Sequence, residues 1–191
     1  MGAKVRSGAT IEDLYTVPDN RKAEIVAGEI MPMSPTQWGP NIAGGRIFSS
    51  LDAYAEKEQN GYAFTDNMAF VVTVPTQRSF SPDAAYFLGE PEEGPEEFIR
   101  AAPTFAVEVR SDGDYGSAAE RKMARKRAEY FAAGTLVVWD VDVLREMVVR
   151  VYRASEPDMA TVYGKGEVAE AEPAVPGWRF QVDRILAKPR R

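Results

Sequence analysis

Ser81–Phe87 (SPDAAYF) and Pro103–Ser111 (PTFAVEVRS) decide the reading of this chain. Each is a short apolar run carrying one carboxylate: Asp83 follows Pro82 at the head of the first, and Glu108 lies inside the second. An ionised carboxylate in an apolar strand is costly unless it is paired, bound to a cation or turned to water. Alternation sends Phe105 and Val107 to one face and Ala106 and Glu108 to the other, so Glu108 either faces solvent or belongs to a site. Asp83 after a proline is also ordinary turn chemistry. Taken together, two carboxylates on neighbouring strands form a pair able to hold a divalent cation, which polarises a phosphodiester and lowers the pKa of the attacking water.

Such a site also needs a cation near the phosphate, and two candidates present themselves. Arg110 stands two residues after Glu108 on the same strand face, but a guanidinium supplies charge without proton transfer. The other lies in Gly116–Ala133, where the pattern predicts a helix ended by Gly134. On it Arg121, Lys122, Arg125 and Lys126 share one arc, and Met123, Ala124, Tyr130 and Phe131 the other. Lys126 lies on the border between the arcs, placed either to reach inward or to snorkel to solvent. Arg127 and Glu120 project into the apolar arc, to pair with each other or with a site carboxylate.

Working outward, Thr10–Tyr15 reads as a short capped helix, and KAEIVAG with EIMPMS as a hairpin turning at Ala27-Gly28. Asn41–Glu58 has helical apolar spacing. Strands are expected at Tyr62–Thr65, Met68–Val74, Ala84–Leu88, Phe105–Val109, Leu136–Val141 and Met147–Tyr152, with weaker strands from Glu156 and a basic KPRR ending. Helices before and after a block of strands predict an α/β fold, a mixed sheet flanked by helices. The expected organisation is a single domain over 1–191, with its core over about 10–153 and C-terminal strands and tail over 154–191.

Composition narrows the chemistry. The 191 residues include no cysteine and no histidine, which excludes disulfides, zinc sites with nitrogen or sulfur ligands, and histidine bases. An all-oxygen site selects a hard cation, magnesium or manganese. The N-terminal MGAKVRSGATIEDL lacks the apolar run of a secretory signal, and no long apolar span follows, so a cytoplasmic protein with no membrane association is expected. The net charge of -6 argues against coating nucleic acid non-specifically, so DNA contact needs a local patch. Arg121, Lys122 and Arg125 are its most compact candidate, with Arg110 beside the carboxylates.

In their order, KAEIVAGEIMPMSP, SPDAAYF, PTFAVEVRS and KRAEYFAAGTLVVWDVD resemble the Uma2 family, whose members resemble PD-(D/E)xK restriction endonucleases. The matching stretches span about Thr10 to Val151. The resemblance implies a restriction-endonuclease-like core, Asp83 and Glu108 as metal ligands, and Lys126 as the motif's lysine moved from strand to helix. It further implies that Glu24 assists the metal or orients water. The chain departs from the family around Pro40 and Asn41, which carry no histidine. The function implied is a Mg- or Mn-dependent DNA endonuclease, a homodimer by analogy because cutting two strands needs two sites. The competing expectation is a nuclease-fold protein that has lost catalysis and serves as a nucleic-acid or protein interaction module.

Overall fold

The computed structural model describes residues 8–18 and 21–186, and the KPRR ending lies outside them. The chain enters through a one-turn helix, α1 (Ile11–Leu14), capped by Asp13 Oδ2 accepting the Thr10 N–H at 2.7 Å. The hairpin of β1 (Ala23–Val26) and β2 (Glu29–Pro32) follows, closing where Val26 pairs with Glu29. Its two turn residues, Ala27 and Gly28, both have positive φ (51° and 79°), as a tight hairpin with right-handed strand twist requires.

The first long helix, α2 (Trp38–Glu58), begins three residues before the expected Asn41. Its first turn holds Pro40, where a proline gives up an N–H that has no intrahelical partner anyway. Four strands then run through β3 (Gly61–Thr65), β4 (Phe70–Val71), β5 (Ser79–Phe80) and β6 (Ala84–Leu88). The expected strand Met68–Val74 is thus cut to two residues, because the chain doubles back through Pro75 and pairs Phe70 with Phe80 and Val71 with Ser79.

Next come β7 (Phe105–Val109), α3 (Ser117–Ala133), β8 (Val137–Asp142), β9 (Val148–Arg153) and β10 (Glu156–Tyr163), then the short strands β11 (Val168–Glu170) and β12 (Arg179–Gln181). The main sheet has the order β10-β9-β8-β7-β6-β3, with β7 and β8 parallel and joined by α3, and every other pair antiparallel. This is the mixed sheet flanked by helices that the sequence predicts.

The two faces of the sheet differ. Ala84, Tyr86, Phe105, Val107, Trp139 and Val151 pack on one face against Ile47 and Leu51 of α2. The segment beyond β10, read from sequence as a weak tail, also belongs to this layer: Ala169, Trp178, Phe180 and Ile185 are buried there, with the Trp178 ring 5.0 Å from that of Trp139. The core therefore does not stop near residue 153. On the opposite face Ala106 and Val138 meet Phe80 of β5 and Tyr130 of α3, whose rings stack at 3.9 Å. Glu108 points to this second face. Among the described residues, no helix is long and apolar enough to cross a membrane.

Candidate active site

The alternation that sends Glu108 away from Phe105 and Val107 does not send it to solvent. That face of β7 is roofed by α3, and Glu108 is held by two side chains of that helix. Lys126 Nζ donates to it at 2.9–3.0 Å and the Tyr130 hydroxyl at 2.6 Å. These donors sit one helical turn apart, which is how K-x-x-x-Y addresses both to one carboxylate. Lys126 also reaches Glu24 of β1 at 3.0 Å, so one ammonium lies between two carboxylates. Glu24 is fixed in turn by the Ser81 N–H at 2.8 Å and by Gln77 Nε2 at 3.1 Å.

Asp83, at the head of β6, is oriented by backbone. Its N–H donates to Val107 O at 3.0 Å, and its carboxylate accepts the Val109 N–H at 2.7 Å, one residue past Glu108. Lys22, just before β1, donates to Asp83 at 3.2 Å and also pairs with Asp66. The first turns of α2 run past the same point, with Gly44 against the Asp83 backbone and Cβ.

Electrostatically the cluster is under tension. Burial pushes the Glu108 carboxyl above the usual range; Lys126 opposes the rise, and Asp83 and Glu24 add to it. Burial would lower Lys126, but Glu108 and Glu24 outweigh it and hold the ammonium charged above its ordinary pKa. Burial also drives the Tyr130 phenol well upward, with Glu108 next in effect, so it remains a donor. Lys22 is likewise raised, burial being outweighed by Asp83 and Asp66.

The structure thus brings Glu24, Asp83, Glu108 and Lys126 into one cluster. It corrects the expectation for Arg110. That residue is 5% exposed and its guanidinium is committed: Nε and Nη2 donate to Asp140 at 2.6 and 2.7 Å, and Nη1 and Nη2 to Glu120 at 2.5 and 3.1 Å. Contact with DNA phosphate would require breaking a bidentate pair to an aspartate that is itself 1% exposed.

Arg127 and Glu120 do not pair with each other. Arg127 stacks on Tyr152, 3.9 Å from the ring centroid, and stands 4.0 Å from Asp140. Arg121, Lys122 and Arg125 are exposed on the outer face of α3, as expected; Ala124, assigned to the apolar arc, is exposed as well.

Lys22, Gln77, Ser81 and Tyr130 are residues of the cluster that sequence reasoning did not single out. The i, i+4 relation of Tyr130 to Lys126 was its signal; Lys22 had none, since its partners are brought to it only by folding.

Among the described residues, no group of three or more acidic side chains is arranged to hold a metal ion. In donor chemistry the carboxylates suit a hard divalent cation, and Lys126 supplies positive charge between two of them.

A family model described as "Putative restriction endonuclease" (Uma2) matches residues 10–183. A crystal structure from Anabaena variabilis, described as "a putative nuclease belonging to DUF820", aligns with a TM-score of 0.72 at 16% identity. The alignment covers 93% of this chain and 97% of that one. At that identity the likeness shows that the two chains share a fold. None of the curated proteins matches the chain.

Proposed function

The chain belongs to the Uma2 family, and from that membership and the cluster's geometry we propose that it is a divalent-metal-dependent DNA endonuclease. The observation that supports this reading best is one ammonium, Lys126, between Glu24 and Glu108 with Asp83 adjoining: a compact set of carboxylates and a charged donor on one sheet face.

Asp83 and Glu108 would hold magnesium or manganese, which supplies a polarised phosphodiester and an acidified water. Lys126, kept charged by its neighbours, acts as a hydrogen-bond donor to the crowded phosphate rather than as a base. Glu24 and Tyr130 orient Lys126 and Glu108. The exposed Arg121, Lys122 and Arg125 offer a local basic face for the DNA backbone on a chain of net negative charge. A homodimer would present two such sites to two strands, each from a single domain whose core draws on both the strand block and the C-terminal segment.

The lack of a ready metal-ligand cluster among the described residues favours the other reading, an interaction module that keeps the fold without catalysis. Manganese separates the two. On the endonuclease reading, saturating manganese raises the melting temperature by several degrees, and Asp83→Ala or Glu108→Ala each abolishes that rise. The double variant loses no more than either single one. No response in the unaltered protein would establish the module; a response surviving in both variants would move the metal elsewhere.

A further inference from the structure

Beside the cluster lies a second concavity whose lining includes Ala23, the neighbour of Glu24, but neither the site carboxylates nor Lys126. It has a volume of about 220 Å³ and is lined by residues that include Tyr15, Arg21, Asn67, Ala69, Ser81 and Phe98. It shares a wall with the candidate active site, because Ser81 lines it and also donates its N–H to Glu24.

Three features define what would fit. Tyr15 stacks on Phe98 with centroids 4.0 Å apart, yet Tyr15 is 48% exposed, so an aromatic platform stands at the rim. Ser81 is 2% exposed, and its buried hydroxyl has no hydrogen-bond partner among the described residues, a costly state unless something else supplies one. Asn67 adds an amide with both donor and acceptor. The volume lies below the roughly 300–1,000 Å³ of sites for larger organic ligands and suits a single planar heterocycle.

From this arrangement we infer that the pocket takes the base of an unpaired nucleotide next to the phosphate held at the carboxylates. The inference rests on the endonuclease reading and narrows its substrate. A base stacked inside a duplex cannot enter, so the strand is single-stranded or has that nucleotide extruded. Tyr15 supplies the stacking face, and the Ser81 hydroxyl and Asn67 amide contact the base edge.

The test is fluorescence anisotropy with a labelled short single-stranded oligonucleotide in calcium, against a series in which each position in turn is abasic. One position is expected to lose affinity by about tenfold, within the range one stacked base contributes. Ser81→Ala and Tyr15→Ala are each expected to weaken the intact strand toward the abasic one, and Tyr15→Ala, which lies outside the carboxylate cluster, to leave the abasic strand's affinity unchanged. Melting temperatures confirm that both variants fold. Equal affinity across the whole series, or variants that weaken intact and abasic strands alike, would overturn the pocket and leave the endonuclease reading standing. Absence of binding by every strand would overturn both.

Discussion

Two ion clusters stand two residues apart, one on Glu108 in β7 and one on Arg110 just past its end, and they have opposite characters. Around Arg110, one guanidinium meets two carboxylates in fork geometry, its charge is reinforced first by Asp140, and Glu120 is pulled below the usual carboxylate range chiefly by its bond to Arg110. Around Glu108, burial and neighbouring carboxylates push the acid upward, and one lysine serves two acids. The first cluster is saturated and pins α3 to β7 and β8. The second keeps charges that one ammonium does not fully relieve, as perturbed groups at reactive sites commonly do. Arginine suits the first role because its planar fork matches a carboxylate, and lysine the second because a point charge can change partners.

The strongest way to break this contrast is Arg110→Met. If the Arg110 cluster is structural, the variant leaves Asp140, 1% exposed, without its partner, and should lose roughly 3–5 kcal/mol of stability. For a chain of this size that is a fall of about 10 °C in melting temperature. A variant that melts normally but binds DNA poorly would return Arg110 to the DNA-contact role first expected of it.

Lys126→Met sharpens the contrast through pH. It should cost less at neutral pH, about 1–3 kcal/mol, because Glu108 has a second escape. Without Lys126 the Glu108 carboxyl rises further above its unfolded value, so the penalty of its charge lifts as pH falls through the raised folded pKa. The deficit should therefore shrink as pH falls through the raised pKa of Glu108. Denaturant titrations of the variant and the unaltered protein from neutral to acidic pH check it, and a deficit that does not change with pH would overturn it.

The smallest expected stability effect lies on the outer face of α3. Replacing Arg121, Lys122 and Arg125 with glutamine should change stability by less than about 0.5 kcal/mol each, since all three are exposed. The slope of log affinity for DNA against log salt should nevertheless flatten by about two to three units. An unchanged slope would place the DNA elsewhere.

Much of the candidate site was legible because its signals are local. Pro82-Asp83 before an apolar run and Glu108 within one mark strands whose bounds the structure reproduces at Ala84–Leu88 and Phe105–Val109. The i, i+4 spacing of Lys126 and Tyr130 is visible in the sequence, whereas their shared turn to Glu108 was decided by folding. The fate of Arg110 was not legible, because its partners lie on α3 and β8 and nothing in VEVRS says that either will arrive. Lys22 meets Asp83 across 61 residues of chain. The C-terminal segment looked weak because β11 and β12 have only three residues each, and its importance comes from Phe180 of β12 and Trp178 just before it, whose rings pack around Trp139.

The amino-acid sequence by itself determined most of the elements that form, the apolar side of the main strands, and that any metal site here must be built from oxygen ligands. Those properties follow from residue type and from periods of two and 3.6 residues, which act within a single element. The tertiary structure alone decided which charges meet: that Glu108's outward face lies under a helix instead of water, that Lys126 serves two acids, and that Arg110 is enclosed. Charge pairing depends on distances between elements far apart in the chain, and burial then weakens the solvent screening that would have made each charge indifferent to the others.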